Sequence, residues 1–67
     1  APTKILELAD CTDEDVTLVL RKSPLGRYAT LETAVREKDG SISKKVVCTL
    51  HGLDMNKLCH AWLGSQA

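Results

Sequence analysis

The strongest structural signal in this chain is a pair of alternating segments on either side of an Asp-Gly step. From Tyr28 to Arg36 apolar and polar residues alternate with a period of two, which is typical of a half-buried strand. The step Asp39-Gly40 accepts positive φ in a tight turn, and the alternation resumes over residues 42–50. The sequence therefore predicts an antiparallel hairpin over residues 28–50.

Two shorter segments before the hairpin also favour strands. Residues 4–9 form a short apolar run that an acidic turn soon ends. Residues 16–21 could follow a helix cap at Thr12, but their β-branched side chains favour a strand. Ser23-Pro24-Leu25-Gly26 then predicts a reversal, because Pro and Gly occupy the positions that a type I turn prefers.

The segment after Gly52 is compatible with two structures. Asp54 could cap a helix whose apolar side chains form one stripe, namely Met55, Leu58, Cys59, Trp62 and Leu63. The alternative is a turn followed by a last strand over residues 59–63. Periodicity favours the helix, over residues 55–63.

These elements predict a mainly β fold in a single domain, residues 1–67. We expect a small antiparallel β-sandwich or barrel of five to six strands, whose last element is either a strand or a short helix. No apolar run approaches the length of a transmembrane helix.

Composition argues against two classes of partner. Nine Lys and Arg balance nine Asp and Glu, so no net charge draws the chain to nucleic acid or to an anionic membrane. One Tyr, one Trp and no Phe leave little aromatic surface for stacking on bases. We therefore expect neither a nucleic-acid partner nor a membrane partner.

A bond between Cys11 and Cys48 would stabilise a domain as small as this one. A chain of this length buries only about 60% of its unfolded surface. Cys11 follows the first strand and Cys48 lies in the hairpin, so a bond between them would tie the ends of the sheet together. Closing this loop would add about 4 kcal/mol. Three cysteines and the small-residue start Ala1-Pro2-Thr3 indicate secretion, although a trimmed domain would start in the same way.

Histidine and cysteine side chains cluster near the C-terminus without forming a recognisable site. Cys48, His51, Cys59 and His60 are ligand types that zinc prefers, but the adjacent Cys59 and His60 point to different faces of a helix or strand. Cysteine catalysis would need a base and a cleft, for which so small a β domain has little room. We predict no catalytic residue, no metal and no cofactor.

Two short motifs carry a resemblance to a known family. Residues 47–52 and Ala61-Trp62-Leu63-Gly64 resemble the closing strands of the secreted fungal effectors called MAX effectors, the avirulence proteins and ToxB-like toxins. In that family one disulfide holds a small sandwich of two three-stranded sheets. Cys11 and Cys48 match the places of its two cysteines, so the resemblance implies that they are bonded and that Cys59, which we expect to be reduced and buried, is extra.

The resemblance implies a small secreted virulence effector that is a monomer without enzyme activity. It would bind a host protein, in some members of the family a heavy-metal-associated domain of plant immune receptors, often by pairing an edge strand. Residues 16–21 are our candidate for that edge, with Val16, Thr17, Val19 and Arg21 as partner-binding residues, because an edge gives main-chain hydrogen bonds to a partner.

Two other hypotheses stay open. An N-terminal cysteine, antiparallel strands and a C-terminal amphipathic helix also outline a chemokine-like signalling protein with a single disulfide. An intracellular β-rich interaction module with three reduced thiols is the third candidate.

Overall fold

The computed structural model describes residues 2–66, and over that range the chain forms four strands followed by one helix. The elements are β1 (Thr3–Ala9), β2 (Val16–Lys22), β3 (Tyr28–Arg36), β4 (Ile42–His51) and α1 (Gly52–Ser65). The strands form one antiparallel sheet in the order β1-β2-β3-β4. The predicted mainly β fold is confirmed, whereas a fifth strand and the second layer of a sandwich or barrel are not found among residues 2–66.

Glycine closes the two hairpin turns that the sequence predicts. Between β2 and β3 the Gly26 N–H donates to the Ser23 carbonyl at 2.9 Å, and Gly26 has a φ of 71°. Between β3 and β4 Gly40 has a φ of 88°, and its N–H donates to the Glu37 carbonyl at 3.0 Å. Both conformations favour a residue without a Cβ, so these turns follow directly from the local sequence.

The position of β2 corrects one prediction. Residues 16–21 were expected to form an exposed edge, but β2 pairs with β1 on one side and with β3 on the other. Its backbone groups are therefore used within the sheet, and the edges are β1 and β4. The sheet registers explain this, because the short apolar segment before the acidic turn folds back along β2 instead of leaving it free.

The C-terminal element is a helix, as periodicity favours, and the alternative strand over residues 59–63 is wrong. The helix is longer than predicted and begins at Gly52, immediately after β4 ends at His51. Asp54 therefore lies in the first turn instead of capping the helix, and His51 occupies the cap position without a side-chain hydrogen bond. A carboxylate in the first turn still interacts favourably with the helix dipole.

Very little of this chain is buried. Among the described residues only Val19 and Ala29 are buried hydrophobic side chains, at 7% and 8% exposure. The radius of gyration is 13.6 Å, against about 11 Å for a compact domain of this length. The sheet and the helix thus form an open, single-layered arrangement with large apolar surfaces in contact with solvent.

Candidate protein-interaction surface

One face of the sheet is mainly apolar, with Thr3, Lys22, Thr33, Ser43 and Lys45 as its polar residues, and we call its apolar part the apolar face. The cross-strand registers place its residues opposite one another, for example Leu8 beside Leu18 and Leu20 beside Leu31. Two β-bulges, at Ile5 in β1 and at Val47 in β4, change the alternation without breaking the face. The apolar face consists of Leu6, Leu8, Val16, Leu18, Leu20, Ala29, Leu31, Val35, Cys48 and Leu50.

The apolar face is mostly uncovered in the single chain. Leu6, Leu8 and Leu18 are exposed, and the central residues Leu20 and Leu31 are only half-buried. In a folded domain such a face normally packs against a second layer. Within residues 2–66 no element supplies that layer.

The helix carries a second uncovered apolar surface, which we call the helix stripe. It consists of Met55, Leu58, Cys59, Trp62 and Leu63, which share one side of the helix through their spacing. Trp62 is 66% exposed, and over the described length of the helix only Gly52 and Met55 are even partly shielded. The amphipathic pattern is therefore present, but the chain itself does not bury it.

A groove separates the start of the helix from the apolar face. It has a volume of about 730 Å³, with Leu20 and Ala29 on the sheet side and Leu53 and Met55 on the helix side. One hydrogen bond links the start of the helix to the turn before β3, and a cross-strand ring pair lies beside it. The Gly52 N–H donates to the Arg27 carbonyl at 2.9 Å, and the rings of Tyr28 and His51 lie 4.9 Å apart.

The opposite face of the sheet, which we call the polar face, differs in chemistry. Arg21 Nε donates to Glu32 Oε2 in an ion pair whose side chains are largely shielded. Val19 is buried between Glu7 of β1 and Glu32 of β3, its partners in the register. A shallow depression of about 250 Å³ on this face is lined by both acidic and basic side chains, so it has no dominant charge.

The candidate residues of the predicted edge are divided between the two faces. Thr17, Val19 and Arg21 lie together on the polar face, and Val16 lies on the apolar face opposite Val35. All four belong to an interior strand, so the edge-pairing basis for their predicted role is wrong. Their main-chain groups are not free to add a partner strand.

The cysteines do not form the expected disulfide. All three, which lie within the described range, are free thiols: Cys11 and Cys59 are exposed and Cys48 is half-buried. Cys48 lies in β4 and Cys11 follows β1, and these strands are three positions apart in the sheet. Strands lie about 4.8 Å apart, so the two residues are separated by more than the roughly 7 Å limit for a disulfide. Cys59 was expected to be buried, but it is exposed.

Neighbouring side chains lower the pKa values of three exposed carboxyl groups. The Thr12 hydroxyl and then the Thr12 N–H donate to Asp10, and these hydrogen bonds lower the pKa of that carboxyl. Ser41 lowers the pKa of Asp39 in the same way, by its hydroxyl and then its N–H. Lys4 lowers the pKa of Glu7, first by a hydrogen bond and then by its charge. All three carboxylates are exposed turn or edge groups that stabilise local structure.

Among residues 2–66 no group of three or more His, Cys, Asp or Glu side chains is arranged to hold a metal ion. No helix in the described part of the chain is long and apolar enough to cross a membrane.

Comparison with known proteins gave no match. Neither the models of protein families, nor the curated proteins, nor the solved structures contain one that matches this chain. Its function therefore has to be inferred from the surface itself.

The apolar face was missed by the sequence reasoning, although its signal is in the sequence. Alternation in β2 and β3 separates two faces, and Leu18, Leu20 and Leu31 already fall on one of them. The apolar spacing of the helix stripe was recognised from the sequence. In the structure no residues separate β4 from α1, and both surfaces stay exposed.

Proposed function

We propose that this chain is a non-catalytic protein-binding module whose partner covers the apolar face and the helix stripe. The observation that supports the proposal is the accessible surface of the chain, 5426 Å². A compact monomer of 7.3 kDa exposes about 4200 Å². The excess of about 1200 Å² is more than the roughly 800 Å² that a standard protein interface buries on each partner.

The position of the excess surface also supports a protein partner. Contiguous apolar patches of several hundred Å² are rare on soluble monomers and mark interaction sites. The apolar face combines exposed leucines of β1 and β2, and the helix stripe adds Trp62, a residue type that is enriched in binding hot spots. The partner's surface would form the second layer of a sandwich, so that the two-layered fold predicted from the sequence arises on binding.

In the proposed binding mode the partner packs on the apolar face instead of pairing with an edge strand. A host-protein partner and secretion remain predictions that come from the sequence resemblance and from the cysteines. The effector and chemokine-like hypotheses both require a bond between Cys11 and Cys48, whereas the interaction-module hypothesis requires three reduced thiols. The proposed binding surface agrees with the third hypothesis without needing any disulfide.

Site-specific photocrosslinking tests the proposal. A benzophenone amino acid at position 18 would lie on the apolar face, and the same residue at position 17 would lie on the polar face of the same strand. We expect covalent protein adducts from position 18, in the purified sample if the partner is a second copy or in an extract of the producing cells if it is another protein, and few from position 17.

A second substitution makes the crosslinking result specific. Leu8 is the register partner of Leu18, so Leu8→Glu places a charge beside the probe and should abolish its adducts. Equal adducts from positions 17 and 18, or adducts that survive Leu8→Glu, would show that the apolar face is not the binding surface.

A further inference from the structure

We infer that the partner is a second copy of this chain, with the helix stripe of each copy packed on the apolar face of the other. The inference rests on the proposed function, because it names the molecule that covers the surface described there. A two-fold arrangement of this kind uses the same two patches on both subunits, as isologous dimers do.

The chain carries both surfaces of such an interface, but its helix stripe cannot pack on its own apolar face. Since α1 starts at Gly52, directly after β4 ends at His51, no linker allows the helix to fold back across its own sheet. The hydrogen bond from the Gly52 N–H to the Arg27 carbonyl further fixes the direction in which the helix leaves. The helix stripe therefore points to a surface beyond its own chain.

The dimensions of the two surfaces match. A helix of 14 residues is about 21 Å long, and strands of seven to ten residues span about 23–34 Å. The groove beside Leu20 and Met55, with its 730 Å³, leaves room for side chains of a second helix next to the first turn of α1. One helix stripe thus fits along one apolar face.

The buried area is sufficient for a stable dimer. A standard interface removes about 800 Å² from each partner, and this chain exposes about 1200 Å² more than a compact monomer of its mass. Obligate dimers have more apolar interfaces than transient complexes, and the two patches here consist mainly of leucine, valine and tryptophan.

Charge does not oppose self-association. The formal net charge is zero at pH 7, so two identical copies meet without long-range repulsion. Lys22 lies at the end of β2, and Lys45 lies on the edge strand β4 opposite Thr33. These two charges therefore border the leucines of β1, β2 and β3 on this side of the sheet. This inference replaces the monomer expected from the sequence.

Sedimentation of the purified full chain, from low micromolar to millimolar concentration, tests the inference. We expect a dimer, and we expect Trp62→Asp to raise its dissociation constant by at least about 100-fold, because a buried tryptophan is a typical hot spot and occurs twice. His60→Asp is the matched control. It also adds one negative charge to α1, but on the side away from the helix stripe, and should leave the dimer intact.

A second measurement covers the possibility that Trp62→Asp simply unfolds the chain. In a mixed sample of isotope-labelled and unlabelled wild-type protein, intermolecular NOEs should connect the Trp62 ring with the methyl groups of Leu18 or Leu31. A dimer without such NOEs, or equal weakening by Trp62→Asp and His60→Asp, would overturn the proposed packing.

The outcomes separate this inference from the proposed function. A folded chain that stays monomeric at millimolar concentration would overturn self-association. If position 18 then still crosslinks to another protein and Leu8→Glu abolishes that adduct, the apolar face remains a binding surface for a different partner. Absence of both results would overturn the two proposals together.

Discussion

Substitution of Val19 tests how much side-chain burial in the sheet contributes to the stability of this chain. It is 7% exposed and lies on the polar face, opposite Glu32 in the register. Val46 lies on the other side of the same glutamate, in β4, but it is 56% exposed. Truncating both residues to alanine compares two valines that share a neighbour and a face and differ mainly in burial.

The expected loss can be worked out from the exposed fractions. Val→Ala removes two methyl groups, worth about 0.8 kcal/mol each when fully buried. Val19→Ala should therefore lower the free energy of unfolding by about 1.5 kcal/mol, and Val46→Ala should lose about 0.7 kcal/mol through burial. Both variants also lose the β-propensity of valine, so this contribution largely cancels in their difference of about 1 kcal/mol.

Urea unfolding followed by far-ultraviolet circular dichroism measures this difference. All variants have to be compared at one protein concentration, since association makes apparent stability depend on concentration. Val19 and Val46 lie on the polar face, away from the proposed interface, so dimerisation affects both variants alike. Equal losses, or a greater loss for Val46→Ala, would refute the burial argument.

Three other measurements follow from local structure. Gly40→Ala should lower the free energy of unfolding by about 1–2 kcal/mol, because Gly40 has a φ of 88°. Gly64→Ala, inside α1, should raise it by up to about 1 kcal/mol. Equal effects of the two substitutions in urea unfolding would contradict this expectation. The pKa of Asp10 is lowered in the folded state by the Thr12 hydroxyl, so its contribution to stability is present above about pH 4 and is lost as the pH falls through the folded-state pKa. Asp10→Asn should therefore reduce the acid-induced fall of the urea midpoint, and an unchanged pH profile would contradict the assignment. Intact mass of protein purified without reductant should correspond to three reduced cysteines, and the loss of two hydrogen atoms would restore the disulfide hypothesis.

Local sequence rules predicted the strands well because each strand is specified by its own neighbours. The Asp39-Gly40 step fixed the hairpin of β3 and β4, and Gly40 adopts the positive φ that the turn requires. The β-branched residues of β2 outweighed the possible helix cap at Thr12. In these segments propensity, alternation and turn chemistry all favour the same structure.

The strand edge could not be predicted in the same way, because an edge is a property of pairing between segments. Nothing local to residues 16–21 tells whether the short apolar run before them folds back and pairs. The structure pairs Leu6 with Leu20 and Leu8 with Leu18, which makes β2 interior. The predicted disulfide is not seen in the structure for a related reason, since the meander order places β1 and β4 at opposite edges.

The unburied helix shows what amphipathicity in a sequence can and cannot predict. Amphipathicity specifies that the side of α1 carrying Leu58 and Trp62 needs an apolar neighbour, but it does not specify which molecule provides it. In most small α+β domains a loop lets the helix return to its own sheet. Here β4 runs directly into α1, so the chain has the two faces of a core without the connection that would bring them together. Burial of only two hydrophobic side chains among the described residues is far too little for a stable fold of this length. We therefore expect the same uncovered surfaces to drive the proposed binding, and stability and association to be lost together when the helix stripe is changed.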